Sequence, residues 1–373
     1  MEALQFLFSV ESWRMAVFWT LSLIFSYLHL LFRGIFQKSQ SYPRRSLHPS
    51  SEQPICIITG ATSGLGAAAA KYLSREGYYV VLVGRSSHLL SKTIQEIKQQ
   101  QEDVHLKALQ VDLSSFQSML SFKSSLEQWL LDTNLHPSVQ LLINNAGILA
   151  TSCRFTAEGY DQMVETNYIG AFALTNLLLP MLKNSSTPSR IVNVTSFTHR
   201  CVSQIEVDEE TLSGKYLKCF SKSGRYPFAR TYEYSKLCLL LFSYELHRQL
   251  FLMDPSHHIS VIYCRYPQFR AADPGAVKTA IMREVPRHVS QLAFTVLKSL
   301  GILQSPENGV DSIIDAALAP REASGQYFFG GKGRTMKSSP LSYDAKLAEK
   351  LWASSCELLR EAQLTMQEST KAS

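Results

Sequence analysis

The chain has 373 residues, of which 45% are hydrophobic and 18% are charged, and this composition excludes a largely disordered protein. Its 37 Lys and Arg and 31 Asp and Glu give a net charge of +6 that is spread along the chain. We therefore expect no nucleic-acid partner, since such a partner requires clustered basic residues. The seven cysteines follow no metal-ligand or disulfide spacing, so we expect reduced thiols and no metal site.

The segment Met15–Phe32 is predicted to be a transmembrane helix. It contains no Lys, Arg, Asp or Glu, and a helix of that length spans about 27 Å, close to the roughly 30 Å hydrocarbon core. A buried core helix and a cleaved signal peptide are less favoured, because a basic linker follows and no small-x-small cleavage site is evident. The basic residues Arg33, Lys38, Arg44 and Arg45 follow the segment, which places the rest of the chain in the cytosol.

The chain is predicted to contain one folded domain behind this anchor. Residues 1–38 form the anchor, and residues 39–53, rich in Ser, Pro and Arg, form a linker. Residues 54–340 form the domain, and residues 341–373 form a C-terminal helix and tail.

Strand and helix patterns alternate along the domain. The predicted strands are Ile55–Thr59, Tyr79–Gly84, Leu106–Val111, Val139–Asn144, Arg190–Val194, Ile259–Ile262 and Gln326–Phe329. The predicted helices between them include Gly66–Arg75, Leu89–Gln101, Met119–Leu131 and Tyr160–Leu182. This alternation predicts an α/β fold, a single Rossmann-type doubly wound parallel sheet with helices on both faces, preceded by the transmembrane helix.

A glycine-rich turn follows the first strand, with the sequence TGATSGLG at Thr59–Gly66. Glycine lets the backbone turn tightly and approach a pyrophosphate without a Cβ between them. The helix that follows offers free N–H groups and the positive end of its dipole to the anion. The position of the turn between a first strand and an Ala-rich helix therefore predicts a dinucleotide site.

The end of the second strand indicates which dinucleotide is preferred. An acid at this place usually binds the ribose 2′-hydroxyl of NAD, but the chain has Gly84-Arg85-Ser86-Ser87. A guanidinium suits a 2′-phosphate, so Arg85 predicts a preference for NADP(H), with NAD(H) as the alternative. A solvated surface arginine is the competing interpretation.

A candidate catalytic group lies further along the chain. Tyr232 and Lys236 are four residues apart and so share one helix face. Lys236 can favour the phenolate of Tyr232, whose ordinary pKa of about 10 makes it a poor acid–base group, and its ammonium can bind ribose hydroxyls. Ser196, at the end of a strand, can hydrogen-bond a substrate carbonyl, although a serine there can also simply cap a turn.

With these motifs in place, the chain resembles the short-chain dehydrogenase/reductase family, in its membrane-anchored, retinol-dehydrogenase-like branch. The resemblance covers about Pro54 to Glu361 and includes the closing segment SPLSYDAKLAEKLW. It rests on seven motifs in order: TGATSGLG, Asp112-Leu113, NNAG at Asn144–Gly147, Asn167 in ETNYIGAFALT, NVTS with Ser196, YEYSK, and PGAVKT at Pro274–Thr279.

The resemblance implies a catalytic tetrad of Asn167, Ser196, Tyr232 and Lys236. Tyr232 would act as general acid and base, and Asn167 would hold a water that relays protons to Lys236. Asp112 would contact the adenine ring. The implied cofactor-binding residues are Gly60, Ser63, Gly64, Leu65, Gly66, Arg85, Asp112, Leu113, Asn144, Ala146, Gly147, Tyr232, Lys236 and, on the nicotinamide side, Pro274, Gly275, Val277 and Thr279.

Two segments depart from the family pattern. The long segment between Ser196 and Tyr232 contains Lys215–Phe228, which is predicted to be a substrate-side loop. The residues Tyr263–Arg270 separate the predicted strand Ile259–Ile262 from the PG motif, and without them the sequence reads ISVIAADPGAVKT. We interpret these eight residues as a splice or gene-model insertion, since Pro and two Arg suit a buried central strand badly.

These observations predict a membrane-anchored NADP(H)-dependent oxidoreductase that interconverts an alcohol and an aldehyde or ketone. The bilayer anchor favours a lipophilic substrate such as a retinoid, a steroid, a long-chain aldehyde or a polyprenoid. The alternative is a non-catalytic NADP-binding sensor or scaffold. An extended-type epimerase or dehydratase is disfavoured by the glycine spacing and the PG motif. We expect the protein to be located in the endoplasmic reticulum membrane. Both a monomer and a homo-oligomer are compatible with the sequence.

Overall fold

The computed structural model describes residues 6, 8–36, 41–45, 53–208, 212, 225–252 and 268–372. Its strands are β1 (Ile55–Thr59), β2 (Tyr79–Gly84), β3 (Leu106–Gln110), β4 (Leu141–Asn144), β5 (Arg190–Val194), β6 (Gln268–Asp273), β7 (Ala276–Val277), β8 (Leu303–Gln304) and β9 (Tyr327–Phe329). Seven of them form a parallel sheet in the order β3-β2-β1-β4-β5-β6-β9, and β7 pairs with β8. This order reverses direction beside β1, as in a doubly wound fold, so the predicted fold class is confirmed.

Apart from β6, the strands at the centre of the sheet are mainly apolar runs that are buried on both faces. Three of them, β1, β2 and β5, have the predicted bounds. All five residues of β1 are buried, because β2 pairs with one edge (Ile57 with Val81) and β4 with the other (Ile57 with Leu142). Helices cover both faces of such a sheet, and the strands therefore lack the polar alternation of a half-exposed sheet.

Helices α1 to α10 are arranged around this sheet. Helix α1 is continuous through Val10–Arg14, Met15–Trp19 and Thr20–Phe36, and α5 through Gln162–Val164, Glu165–Ile169 and Gly170–Lys183. The others are α2 (Gly64–Arg75), α3 (Ser87–Lys98), α4 (Phe116–Asp132), α6 (Phe228–Leu252), α7 (Arg287–Ser299), α8 (Pro306–Gly309), α9 (Asp311–Leu318) and α10 (Ala345–Ala372). One hydrophobic core joins the sheet to α4, α5, α6 and α10, and a second joins the opposite face to α2, α3 and α9.

The sixth strand differs from the prediction. The predicted strand Ile259–Ile262 lies outside the described residues, as does most of the predicted loop Lys215–Phe228. The place beside β5 is taken by β6, in which Arg270 pairs with Val192. Residues 268–270, which we interpreted as part of an insertion, are therefore in the central sheet.

Arg270 is fully buried within β6. Its Nη1 donates to the carbonyl of Ala316 at 2.9 Å, and its Nη2 donates to the carbonyl of Pro320 and to Oε1 of Gln268, each at 2.7 Å. Burial, together with the nearby charge of Arg190, lowers the pKa of Arg270 to about 9. The strand thus accommodates an arginine by pairing its Nη atoms with three oxygens, while the buried Nε atom has no hydrogen-bond partner among the described residues.

Helix α1 packs along the domain. Over Val10–Phe32 it is long and apolar enough to cross a membrane, by length and composition. One face, with Ser12, Met15, Leu23, Ser26 and Leu30, is buried against the domain. The opposite face exposes Trp13, Val17, Phe18, Leu21, Phe25, Leu28, Leu31 and Phe32. The candidate membrane span is therefore also a packed element of the fold.

Part of the predicted linker also contacts the domain. Tyr42 is buried with its ring 6.2 Å from that of Phe328. Arg44 forms ion pairs with Asp311 and Asp315 on α9, at 2.7 and 2.6 Å.

Candidate active site

The glycine-rich turn between β1 and α2 is closely packed against the neighbouring loop. Gly60 has a φ of +67°, a conformation that favours glycine. A Cβ on Gly66 would lie 2.3 Å from the carbonyl oxygen of Gly60 and 2.6 Å from Nδ2 of Asn145. Side chains are thus excluded from the turn, whose backbone borders a cleft of about 870 Å³. This arrangement fits a bound dinucleotide at the N-terminus of α2.

Most of the predicted site residues line this cleft. They are Gly60, Ser63, Gly64, Leu65, Arg85, Leu113, Ala146, Gly147, Ser196, Tyr232, Lys236, Pro274, Gly275, Val277 and Thr279. They come from the carboxyl ends of the strands on both sides of the point where the strand order reverses, which is where ligands bind in open α/β sheets.

Four predicted residues, Gly66, Asp112, Asn144 and Asn167, are not among the residues that line the cleft. The Asp112 side chain forms hydrogen bonds within its own turn: its Oδ1 atom accepts from the backbone N and from the Oγ of Ser114. Asn144 is buried at the end of β4.

The Asn144 amide donates to Oγ1 of Thr175 on α5 and to Oδ1 of Asn193 on β5, at 2.9 and 2.8 Å. Asn144 therefore ties the sheet to α5, and its implied place along the cofactor stays a prediction.

Thr59 and Asn145, which were not predicted as site residues, also line this cleft. Oγ1 of Thr59 accepts bonds from the backbone N atoms of Asn145 and Ala146, both at 3.0 Å. Asn145 Nδ2 donates in turn to the carbonyl of Thr59 at 2.9 Å. The signal was available, since these residues belong to TGATSGLG and NNAG. Arg283 also lines the cleft, and no motif marks it.

Tyr232, Lys236 and Ser196 lie together in the lining of the cleft. Helix α6 places Lys236 one turn after Tyr232, and the Lys236 Nζ lies 5.7 Å from the centroid of the Tyr232 ring. The Nζ atom also donates to the carbonyl of Val194 at 3.0 Å. Ser196 follows β5, and its side chain is close enough to Tyr232 to lower the pKa of the phenol. All three side chains are buried, so the structure brings the predicted catalytic residues together.

Asn167 stabilises α6, which carries two of these three residues, through buried hydrogen bonds. It lies in the π-helical turn Glu165–Ile169 and is fully buried. Its Oδ1 accepts from Ile148 N at 2.8 Å, and its Nδ2 donates to Ile148 O at 2.9 Å and to Ser235 Oγ at 3.1 Å. Asn167 thus holds the strand-end loop against α6, and the water relay implied for it stays a prediction.

Burial has the largest effect on the pKa values of Tyr232 and Lys236. It raises the pKa of Tyr232; the charge of Asp273 raises it further, and the nearby Ser196 side chain opposes the rise. Burial lowers the pKa of Lys236 to about 8, against the opposing charge of Asp273. The expected phenolate is therefore disfavoured in this arrangement. A protonated Tyr232 at neutral pH is the form that gives a proton to a carbonyl oxygen.

The comparisons with known proteins agree with this geometry. A family model described as short chain dehydrogenase matches residues 54–204. The chain is 32% identical to the polyprenol dehydrogenase of Homo sapiens, over 85% of this chain and 88% of that protein. The chain belongs to the short-chain dehydrogenase/reductase family. This family member is also 30% identical to retinol dehydrogenase 13 of Homo sapiens, over 81% of this chain and 83% of that protein.

Solved structures show the same fold. An uncharacterised protein from Mycobacterium paratuberculosis is 27% identical, with a TM-score of 0.59 over 84% of this chain and 95% of that one. The angucycline C-6 ketoreductase LanV, solved with bound NADP, is 19% identical, with a TM-score of 0.58 over 79% of this chain and 98% of that one. The predicted family, its retinol-dehydrogenase-like branch and the class of enzyme, a dehydrogenase/reductase with a nicotinamide cofactor, are confirmed.

Proposed function

We propose that this short-chain dehydrogenase/reductase uses NADP(H) to interconvert an alcohol and an aldehyde or ketone on a lipophilic substrate. One observation carries the proposal: Tyr232 and Ser196 line both the cofactor cleft and an adjoining cavity of about 430 Å³. The second cavity is bordered mainly by apolar side chains of α1 and α7. A proton donor placed between a dinucleotide cleft and an apolar cavity suits reaction at the end of an apolar molecule.

The chemistry follows from the placement of the side chains. When bound, the reduced nicotinamide supplies a hydride for the carbonyl carbon. Tyr232 gives its proton to the carbonyl oxygen, and Ser196 stabilises the charge that develops there with a hydrogen bond. The Lys236 ammonium, buried beside Tyr232, favours negative charge on the phenol after the transfer.

Arg85 supports the preference for NADP(H). It is exposed, lines the cleft at the end of β2, and stands where an acid would otherwise bind the ribose 2′-hydroxyl. Its guanidinium can bind a 2′-phosphate with two parallel hydrogen bonds.

The substrate class and the location rest on the apolar features of the structure. Relatives named polyprenol dehydrogenase and retinol dehydrogenase support a polyprenoid or retinoid, with long-chain aldehydes and steroids in the same class. Helix α1, with its exposed apolar face, would attach the enzyme to a membrane. Because α1 contacts the domain from Arg14 to Leu30, we propose that it lies along the cytosolic face of the endoplasmic reticulum membrane with its exposed apolar side in the lipid, so that the catalytic domain faces the cytosol.

The test uses the full-length chain in detergent micelles, with all-trans-retinal as the probe. We expect NADPH-dependent reduction, with NADH much less effective. The Tyr232→Phe variant should lose at least about 10²-fold in kcat while it keeps its NADPH affinity. Tyr234→Phe, two residues away and directed into the core, is the matched control and should keep its turnover.

Two outcomes would contradict the proposal. NADPH binding without turnover of any lipophilic carbonyl compound would favour the non-catalytic NADP-binding sensor or scaffold. Full activity of the Tyr232→Phe variant would show that the proton comes from another group.

A further inference from the structure

Helix α1 is bound to α6, the helix that carries Tyr232 and Lys236, through the buried carboxylate of Glu233. Glu233 directly follows Tyr232 on α6, and its side chain is 1% exposed. The Arg14 Nε atom lies 2.9 Å from both Glu233 oxygens, and the Arg14 Nη2 atom lies 2.7 Å from Oε2. Trp19 Nε1 donates to Oε1 at 2.7 Å. All these donors to Glu233 come from α1, so the charge of this carboxylate is compensated from outside the catalytic domain.

Two further contacts of α1 flank the catalytic residues. Oε2 of Glu11 accepts bonds from the backbone N atoms of Ala229 and Arg230, at 3.1 and 3.2 Å. These N–H groups belong to the first turn of α6 and have no acceptor within the helix. Ser22 Oγ donates to the carbonyl of Phe197 at 2.8 Å, one residue after Ser196. Helix α1 therefore contacts the chain beside both Tyr232 and Ser196.

The same helix forms one wall of the apolar cavity. The Trp19 ring packs against the Tyr232 ring, with centroids 5.4 Å apart. The residues of α1 that line the cavity are Ser12, Trp13, Met15, Ala16, Trp19, Thr20 and Leu23. The opposite wall includes Leu292 and Val296 of α7, whose side chains are also exposed at the surface. The cavity thus lies between two helices whose apolar side chains continue onto the outer surface.

We propose that α1 is a permanent wall of the substrate cavity, held in place by the contacts of Arg14 and Trp19 with Glu233, and that it selects long apolar substrates. This inference rests on the proposed function, because it assigns the substrate wall of that same site. Arg14 and Glu233 act as positioning residues: they hold Trp19 over Tyr232 and touch neither cofactor nor reacting atoms. A chain cut after α1 would keep the cofactor cleft and lose the apolar cavity.

The first test measures the position of α1 without any substrate. The Cys201 Sγ atom lies 3.6 Å from the carbonyl oxygen of Phe18 on α1, and the Ser22 side chain, one turn later, is close enough to lower the pKa of this thiol. A Ser22→Cys variant therefore brings two thiols together. We expect mild oxidation of the full-length variant in membranes to link residues 22 and 201, detected by mass spectrometry of the linked peptides. Leu21→Cys, on the exposed face of α1, is the control and should form no such link. Equal linking in both variants, or linking in neither, would overturn the placement of α1.

The second test separates substrate selection from catalysis. We expect Arg14→Gln to raise the KM for all-trans-retinal at least tenfold, while NADPH affinity and kcat/KM for the small, water-soluble 4-nitrobenzaldehyde change less than threefold. Arg14→Lys keeps a positive charge beside Glu233 and should recover part of the loss. Arg44→Gln is the matched control, because Arg44 also ties the N-terminal region to the domain, but through α9.

The outcomes distinguish this inference from the proposed function. An equal loss with both aldehydes, or no change with either, would refute a wall that selects for long substrates. If the wild-type enzyme reduced neither aldehyde, the proposed function would fail, and the link between residues 22 and 201 would still decide where α1 lies.

Discussion

The Nζ atom of Lys236 lies 5.7 Å from the centroid of the Tyr232 ring and is held there by the carbonyl of Val194. With Asp273 nearby, the buried ammonium contacts one carbonyl oxygen and the face of an aromatic ring in place of water. Its charge therefore depends on pH close to neutrality, unlike that of an exposed lysine.

We expect carbonyl reduction to lose rate above about pH 8. Burial lowers the pKa of Lys236 to about 8, so the side chain is charged below that pH and neutral above it. Tyr232 keeps its proton over the same range, because burial raises its pKa. Initial rates of NADPH oxidation between pH 6 and 9.5 should be constant up to about pH 7.5 and then fall about tenfold per pH unit. A rate that stays constant to pH 9.5 would contradict this role of Lys236.

Replacement of Arg85 should change the choice of cofactor. Arg85→Gln removes the charge available to a 2′-phosphate, and a hydrogen bond to a charged group is worth about 1.5–3 kcal/mol, or about 10- to 100-fold in Kd. Fluorescence titration should show weaker NADPH binding by this factor and NADH binding within about twofold of the wild type. Arg75→Gln, an exposed arginine at the end of α2, is the matched control. Equal weakening of NADPH and NADH would show that Arg85 does not contact the 2′ position.

Glu165 makes the stability of the enzyme depend on pH. It is fully buried on α5, and burial raises its pKa to about 8, with the charges of Glu158 and Asp112 adding to the rise. The native state therefore holds this proton more tightly than the unfolded chain. The free energy of unfolding should fall as pH rises from the ordinary value of 4.5 towards 8, and change little beyond it.

The Glu165→Gln variant removes this dependence. At pH 7.5 it should be more stable than the wild type by up to about 4 kcal/mol, and at pH 4.5 the two should be nearly equal. Urea denaturation at both pH values measures the difference. Glu96→Gln, at an exposed position on α3, is the control and should show no such change. A variant that is less stable than the wild type at pH 7.5 would mean that Glu165 is charged and paired.

Deletion of Tyr263–Arg270 tests the interpretation of these residues as an insertion. In the shortened chain, Ile262 would directly precede Ala271 and take the place of the buried Arg270 in β6. Replacing a buried charge with an apolar side chain of similar volume is often stabilising, here by about 2 kcal/mol. Thermal unfolding should therefore show a Tm about 4 °C higher, with NADPH binding retained.

A lower Tm would identify Gln268–Arg270 as the native strand residues. The same conclusion would follow from a peptide through Tyr266–Arg270 in the mass spectrum of the protein isolated from its natural source.

The sheet and the cofactor cleft could be predicted from the sequence because their determinants are local. The strands β1, β2 and β5 are short, mainly apolar runs bounded by turns, and such a run predicts a buried strand from its local sequence alone. The turn Thr59–Gly66 must contain glycine, because a Cβ on Gly66 would meet the backbone of its own turn.

Other features were decided only by the tertiary structure, because they depend on partners far along the chain. An NNAG motif does not show that the Asn144 amide binds Thr175 and Asn193. The position of β6 depends on which segment fits between β5 and β9.

The role of α1 is the clearest case. Hydropathy alone identifies α1 as a segment able to cross a membrane, because hydropathy measures composition and contains no information about contacts. The ion pair of Arg14 with Glu233 joins residues 219 positions apart. By itself, the sequence determined a dinucleotide-binding enzyme with an apolar N-terminal helix. Only the tertiary structure placed that helix beside Tyr232, because a buried charge is stable where folding brings its counter-charge.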